Sequence, residues 1–334
     1  MNLSVFPMVK LCHRPTALEP LKRLSKILGG PEIWIKRDDC TGLSTGGNKT
    51  RKLEYLVGDA LKNGADTLVT QGAVQSNHAR QTAAAAAKLG LKCHILLERR
   101  IPDKLDEYER TGNVFLDKIH GATVEFRESG IDMNAEGEAV SKKLGENGAK
   151  PYFIPGGGSN AVGALGYVSC ALELISQFNV NSIEFDCLIH ATGSTGTQAG
   201  LVSGLSALSS ELPVLGISVR QNRERQIDAV WNLVKKTVEK LNNIDIQRDK
   251  ILVDDHYVGK GYAIPTDGTL EAIDLLAKTE GILLDPVYSG KAMAGLIDMV
   301  RKGDFKNNEK ILFLHTGGSA ALFAYEQELT NFSK

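Results

Sequence analysis

One lysine in this chain is delivered by glycine. In Gly46-Gly47-Asn48-Lys49-Thr50-Arg51-Lys52-Leu53-Glu54 two glycines follow an extended segment, and a helical pattern opens near Lys49 with Leu53, Leu56 and Leu61 as its apolar spacing. Glycine lets the backbone take positive φ and pass close to a ligand, so the spacing presents an amine at a bend beside a helix N-terminus. The cations Arg51 and Lys52, with the positive end of the helix dipole, would lower that amine's pKa and favour a neutral nucleophile. A solvated basic helix start fits the same residues equally well. A phosphate loop of the nucleotide-hydrolase kind does not: Gly42 and Gly47 have the four-residue gap, but Asn48 stands where the lysine must follow the glycine.

A second stretch decides between these readings. In Leu188-Ile189-His190-Ala191-Thr192-Gly193-Ser194-Thr195-Gly196-Thr197-Gln198-Ala199-Gly200 an apolar strand runs into a loop of glycine and hydroxyl residues, and a small-residue helix is predicted from near Thr197. The N–H groups of Gly193, Ser194, Thr195, Gly196 and Thr197 would converge where the helix dipole favours an anion, which makes a phosphate cup. Gly193, Gly196 and Gly200 lie three and four apart, so the dinucleotide fingerprint G-x-G-x-x-G does not fit. A glycine-rich loop alone also serves tight strand-to-helix turns. A reactive lysine combined with a phosphate cup, without a dinucleotide signature, points to pyridoxal phosphate, whose aldehyde takes the amine and whose phosphate takes the cup.

Five segments then carry a family resemblance: Ile35-Lys36-Arg37-Asp38-Asp39, the lysine stretch Gly46 to Glu54, Gln75-Ser76-Asn77-His78, Asp285-Pro286-Val287-Tyr288-Ser289-Gly290-Lys291 and His315-Thr316-Gly317-Gly318. Together they resemble the aminocyclopropane-carboxylate (ACC) deaminase and D-cysteine desulfhydrase family of pyridoxal-phosphate enzymes, over about Pro15 to Tyr325. The resemblance implies the tryptophan-synthase-like fold (fold type II): two α/β domains with mostly parallel sheets, and the cofactor in the cleft between them. It places residues 1–52 and 159–334 in a large, discontinuous cofactor domain and 53–158 in a small one. A homodimer is implied as well.

Site roles follow residue by residue. Lys49 would take the cofactor aldehyde and later carry the proton at the substrate α-carbon. Gln75, Ser76, Asn77 and His78 follow the strand Thr67 to Thr70 and precede an alanine-rich helix, so their N–H groups would receive the substrate carboxylate. Helix capping by Ser76 or Asn77 explains the same quartet and is compatible with binding. By the resemblance, Asn77 bonds the ring oxygen and Ser76 lies against the substrate; the motifs around Tyr262 and Tyr288 place their phenols over the reacting carbons, although a lone tyrosine also serves as a core residue. Lys52 either adds a cation near the phosphate or is a solvated surface lysine.

The ring nitrogen is where the family divides. The deaminases carry a glutamate after the tyrosine of D-P-V-Y; here that residue is Ser289, and Thr316 matches the hydroxyl pattern of the desulfhydrase branch. A neutral hydroxyl does not hold the nitrogen's proton as a carboxylate does, which favours expelling a good β-leaving group over opening a cyclopropane. The first expectation is therefore release of sulfide, pyruvate and ammonia from D-cysteine. L-cysteate, losing sulfite, is second, with Ser44 and Thr45 as sulfonate donors; ring-opening deamination is third.

The elements that must position these groups are also readable. Gly64-Ala65, Leu89-Gly90, Gly121-Ala122 and Gly148-Ala149 each end a helical pattern before an apolar strand, so Leu53 to Pro155 reads as an α/β unit of about four parallel strands. A second series follows Gly156-Gly157-Gly158-Ser159, with strands at Cys187 to His190, Val214 to Val219 and Ile311 to Leu314. A chain of 334 residues is long enough for two domains, and a net charge of −1 gives no pull toward nucleic acid or membrane. The longest apolar runs are too short to span a bilayer, and the N-terminus has no apolar core before a cleavage site. Five scattered cysteines suggest neither disulfides nor a metal and fit a reducing cytoplasm, with Cys40 read as a buried small residue. His13, His94, His120 and His256 have no clustered partners in the sequence that would hold a metal.

Overall fold

A computed structural model describes residues 2–101, 106–242 and 244–332. Ten strands are found among them: β1 (Leu18–Pro20), β2 (Glu32–Lys36), β3 (Thr67–Ala73), β4 (Lys92–Arg99), β5 (Thr123–Glu128), β6 (Pro151–Ile154), β7 (Cys187–Thr192), β8 (Val214–Ser218), β9 (Leu252–Asp254) and β10 (Lys310–Leu314). They form a six-stranded sheet, ordered β1-β2-β10-β7-β8-β9, and a four-stranded sheet, ordered β5-β4-β3-β6. Every pairing is parallel except β1 against β2. The α/β class is as expected, and the parallel unit read between Leu53 and Pro155 is the smaller sheet. Gly64, Gly90, Gly121 and Gly148 all turn at positive φ, as helix-ending glycines do.

Parallel strands covered on both faces carry continuous apolar runs rather than alternation. All of β3 is buried, and so are the last four residues of β10. Strand β10 lies between β2 and β7, with Phe313 in register with both Ile35 and Ile189. The period of two sends Ile33, Ile35, Ile189 and Phe313 to one core, and Leu188, Leu312 and Leu314 to another.

The helix Ala161–Asn181 is 21 residues long and apolar enough to cross a membrane by length and composition. It serves instead as a core helix. Its Leu165, Val168 and Leu174 are buried, and the small-residue helix Gly196–Ala207 packs on it so closely that a Cβ on Gly200 would lie 2.3 Å from the Ala164 carbonyl oxygen. Two apolar expectations need correction. Leu61 is exposed, unlike Leu53 and Leu56, and Cys40 is exposed rather than buried, its Sγ 3.4 Å from Asp39 Oδ2. Partial burial and the Asp39 charge raise the Cys40 thiol, so it is no reactive thiolate.

The helix Lys49–Lys62 is anchored to the large sheet by a buried ion cluster. The Arg51 guanidinium donates to Asp38 through Nε (2.7 Å) and Nη2 (2.8 Å), and to Glu173 through Nη1 (3.0 Å) and Nη2 (2.9 Å). Asp38 also accepts from Tyr167 and Thr16, at 2.7 and 2.8 Å, and Lys36 donates to Glu173 at 2.5 Å. Burial alone would raise the Asp38 carboxyl, but Arg51 holds it below its usual value. Removing one member of such a cluster strands the others without solvent. Arg51→Met should therefore destabilise the fold by about 3–5 kcal/mol, read from the midpoint of urea unfolding; an unchanged midpoint would contradict the anchoring role.

Candidate active site

A cavity of about 290 Å³ opens where the carboxyl ends of the two sheets meet, the usual place for a ligand in parallel α/β folds. From the smaller sheet come Gly72 and Ala73 at the end of β3, Arg100 just past β4, and Gly156, Gly157 and Ser159 past β6. From the larger sheet come Ala191 and Gly193 to Thr195 at the end of β7, Arg220 past β8, and Thr316 past β10. Lys49, Ser76, Asn77, His78, Thr197, Tyr262 and Tyr288 also line it, so the structure brings most of the expected residues together.

Lys49 is the first residue of its helix, with Asn48 as N-cap after Gly46 (φ 74°) and Gly47 (φ 128°). A Cβ on Gly46 would lie 1.8 Å from the Asp39 carbonyl oxygen, so only glycine fits. The bend is tied down by Thr41, whose Oγ1 accepts the Gly47 N–H at 2.8 Å, and by the Asn48 N–H, which donates to the Thr316 carbonyl at 3.0 Å. Lys49 Nζ donates to Ser194 Oγ at 3.1 Å. Burial pulls the Lys49 amine down to about 8. Lys52 is pulled well down by burial and then by the charge of Lys49. The expected help from Arg51 is absent, for a geometric reason. At about 100° per residue, Lys49 and Arg51 point to nearly opposite sides of the helix, whereas Lys52 comes back toward the side of Lys49.

The expected cup has the right chemistry for a phosphate. Gly196 N–H donates to Ser159 Oγ at 3.1 Å, Thr197 Oγ1 accepts from Asn48 Nδ2 at 3.1 Å, and Lys52 Nζ donates to the Gly157 carbonyl at 3.1 Å. A Cβ on Gly196 would lie 2.9 Å from Lys52 Nζ, and one on Gly157 would lie 2.5 Å from Ser194 Oγ, so glycine keeps this cradle open. No Asp or Glu among the described residues lines the cavity. Hydroxyls, a helix N-terminus and an ammonium without a carboxylate fit a phosphate dianion, and Lys49 at the cup's edge fits the aldehyde; pyridoxal phosphate therefore suits the residues present.

Ser76 is the N-cap of the helix Asn77–Leu89, its Oγ accepting the Ala79 N–H at 3.1 Å. The Asn77 and His78 N–H groups at that helix N-terminus have no intrahelical acceptor, and Ser76, Asn77 and His78 line the cavity, an arrangement that could receive a carboxylate. The Asn77 amide oxygen is buried without a hydrogen-bond partner among the described residues. His78 Nε2 meets Thr70 Oγ1 at 2.7 Å, and burial, then the charges of Lys49 and Lys52, keep its imidazole neutral. The Tyr262 and Tyr288 hydroxyls bond each other, with ring centroids 5.9 Å apart. Burial raises both phenols, so they stay protonated.

Several expected placements are not met. The Gln75 side chain faces away from the cavity, donating to the Tyr108 carbonyl at 2.7 Å and accepting the Asn113 N–H at 2.9 Å. It braces a loop. Ser289 is also turned away: its Oγ donates to Asp285 Oδ1 at 2.7 Å and accepts the Asp285 N–H at 2.8 Å. Asp285 in turn collects the N–H groups of Val287, Tyr288 and Ser289, so this motif caps the helix Ser289–Lys302 and aims Tyr288 at the cavity. Of the two expected hydroxyls, only Thr316 lines the cavity. Ser44 bonds His120 at 3.0 Å and Thr45 is exposed, so neither supplies a donor there. His256, expected to stand alone, is exposed and clusters with its partly buried chain neighbours Asp254 and Asp255, none of which lines the cavity. Arg100, Arg220, Asn48, Gln71, Asn134 and Ser159 also line the cavity without being expected from the sequence. Position just past the carboxyl end of a parallel strand was the available signal for Arg100 and Arg220.

A model of the family described as "Pyridoxal-phosphate dependent enzyme" matches residues 9–317. Among solved structures, an ACC deaminase homologue is 40% identical, with a TM-score of 0.89, covering 99% of this chain and 97% of that one. A hydrogen sulfide-producing enzyme from Fusobacterium nucleatum superposes at a TM-score of 0.66 with 17% identity, covering 93% of this chain and 97% of that one. A fungal L-serine ammonia-lyase from Rhizomucor miehei gives 0.68 with 16% identity, covering 97% and 99%. The last two show the fold alone.

Borohydride reduction of protein loaded with pyridoxal phosphate should fix the cofactor on Lys49 in a peptide map; label on Lys52 or Lys36 would remove Lys49 from the site. Because the neutral amine predominates above its pKa, the rate at which cofactor-free protein takes up pyridoxal phosphate, followed by absorbance, should rise through about pH 8. A rise only near the ordinary lysine value of 10.5 would contradict the effect of burial.

Proposed function

Given that the chain belongs to the pyridoxal-phosphate dependent enzyme family, we propose that it is a carbon–sulfur lyase that expels the β-sulfur of a three-carbon amino acid. A lyase of the ACC deaminase and D-cysteine desulfhydrase type, it acts on a small amino acid. The finer reading is β-elimination from D-cysteine, giving pyruvate, hydrogen sulfide and ammonia. One observation carries it: no carboxylate among the described residues lines the cavity, and the hydroxyl at the expected ring-nitrogen position, Thr316, is neutral. The glutamate of the deaminases is replaced by Ser289, which is committed to Asp285. The hydrogen sulfide-producing neighbour is compatible with this reading at the level of fold only.

When bound, pyridoxal phosphate supplies a sink for the electron pair left at the α-carbon. The chain's own residues do the rest. Lys49, neutral by burial, is placed to take the α-proton, and its ammonium form can return a proton later. The N-terminus of the Asn77–Leu89 helix, with the Ser76 hydroxyl, holds the substrate carboxylate and so orients the α-hydrogen toward Lys49. Tyr262 and Tyr288, kept as phenols, form a hydrogen-bonded pair from which a proton can pass to the departing sulfur. With no carboxylate to hold the ring nitrogen's proton, carbanion character is less stabilised, and a bond that breaks easily is preferred over a strained carbon–carbon bond.

L-cysteate, with sulfite leaving, is a second reading of the same C–S cleavage, favoured by the two arginines in the cavity. The test is parallel turnover of D-cysteine, L-cysteine, L-cysteate and aminocyclopropane carboxylate, with sulfide, sulfite, pyruvate and 2-oxobutyrate measured separately. Sulfur products should exceed 2-oxobutyrate by at least about tenfold, equivalent to about 1.4 kcal/mol in barrier. Dominant 2-oxobutyrate would overturn the reading.

A further inference from the structure

An α-helix is ordinarily capped by the residue that precedes it, whose extended backbone lets its side chain accept a first-turn N–H. The Lys49 helix is capped otherwise. Asn48, at the N-cap, has helical backbone angles (φ −60°, ψ −22°) and makes no capping bond; its side chain donates to Thr197 instead. The acceptor comes from the helix Asn77–Leu89. Gln81 Oε1 accepts the Thr50 N–H at 2.8 Å, a donor shared with the Gly47 carbonyl at 3.2 Å, and accepts the Thr50 hydroxyl at 2.9 Å. An N–H only donates, so that contact fixes which end of the Gln81 amide is oxygen. The nitrogen then faces the Asn77 carbonyl and donates to it at 2.9 Å. Gln81 and Thr50 are both fully buried, so solvent cannot replace the bond between them.

The approach of the two helices is close. A Cβ on Gly47 would lie 2.6 Å from Gln81 Nε2, so Gln81 as well as the φ of 128° requires the second glycine of the bend. Arg80, next to Gln81 and also fully buried, donates through Nη2 to the Gly46 carbonyl at 2.9 Å and through Nε to Asn113 Oδ1 at 3.0 Å. Thr41 and Thr316 hold the other side of the bend. The segment that delivers Lys49 is thus gripped from two sides, and one half of the grip belongs to the helix whose first residues line the cavity. We propose that Gln81 is a positioning residue for Lys49: it caps the lysine's helix from outside, ties that helix to Asn77, and so fixes the amine relative to the N-terminus assigned above to the substrate carboxylate. Arg80 supports it at Gly46. The proposal rests on the reading of Lys49 as the amine that takes the cofactor aldehyde. Holding two reacting groups in register is worth orders of magnitude in rate, and a cap that joins the amine's helix to the other binding element does so without touching the reacting atoms.

The test follows uptake of pyridoxal phosphate by the cofactor-free full chain, by absorbance, with borohydride reduction and peptide mapping to locate the label. Rates are compared on the plateau at high pH, where Lys49 is neutral, for the parent, Gln81→Met, Gln81→Asn, Gln81→Glu and Thr82→Val. Gln81→Met, similar in length but without hydrogen bonds, should take up the aldehyde about 10- to 100-fold more slowly, as expected when a buried N–H loses its acceptor and a reacting group is misplaced. Gln81→Asn, one methylene short of Thr50, should be slowed as well and carries the test if the Met variant does not fold. Gln81→Glu offers Thr50 an oxygen in either protonation state and should stay within about threefold of the parent. Thr82→Val deletes another buried bond of the same helix, from Thr82 Oγ1 to the His78 carbonyl at 2.9 Å, and should also stay within about threefold. Calorimetry with pyridoxine phosphate, which has the phosphate but no aldehyde, should give affinities within about threefold across the set, because the cup is not the part disturbed. Parent-like uptake in the Met and Asn variants, equal slowing in Thr82→Val, or no recovery in Gln81→Glu would overturn the positioning role. Slower uptake matched by equally weaker pyridoxine phosphate binding would make Gln81 merely structural and overturn it too. Label on a lysine other than Lys49 in the parent would overturn the premise and the proposal together. No turnover enters these measurements, so failure of the carbon–sulfur lyase reading is recognised separately, by the product assay above.

Discussion

The buried contact between Arg51 and Asp38 is the constraint on which the site depends. It fixes the helix Lys49–Lys62 against the end of β2 and against Glu173 on the long core helix, deep enough that Arg51 and Asp38 are fully buried. With Arg51 committed to that side, helical geometry leaves Lys49 and Lys52 only the opposite side, which is the cavity. The anchor therefore sets where the amine is, while Gly46 and Gly47 set the direction from which it arrives. Such a buried pair adds little net stability, but losing one member is costly because the other charge is left without a partner.

Electrostatics in the cavity follow from what surrounds it. Lysines and arginines approach from both sheets, and the acidic groups nearby are engaged elsewhere: Asp38 by Arg51, Asp39 by Arg37 at 2.8 Å, Asp285 by three backbone N–H groups and Ser289. The space left is one that welcomes anions and lowers the pKa of its amines. A phosphate dianion beside Lys52 would reverse that lysine's depression, leaving Lys49 as the member of the pair that gives up its proton.

Much of this is legible in the amino-acid sequence alone. The strand and helix alternation, the glycine turns at 64, 90, 121 and 148, the Lys49 bend and the loop Gly193 to Thr197 are local patterns, and local patterns survive folding. What escaped is what depends on direction. Arg51 and Lys52 are neighbours in sequence with opposite fates on the helix. Ser289 and Gln75 sit inside binding motifs, yet their side chains satisfy buried backbone groups. Strands β1 and β9, three residues each, are too short for a period to register. Arg100 and Arg220 carry no motif at all; only the closing of two sheets on one cavity puts them in the site.

On the function proposed above, the ring nitrogen of bound pyridoxal phosphate would meet the neutral Thr316 hydroxyl and no carboxylate, which would steer the enzyme toward carbon–sulfur cleavage. Nitrogen-15 NMR of the enzyme loaded with pyridoxal phosphate labelled at the ring nitrogen tests this directly. The account predicts the shift of an unprotonated ring nitrogen at neutral pH, altered by Thr316→Val. A protonated nitrogen, insensitive to that substitution, would contradict it.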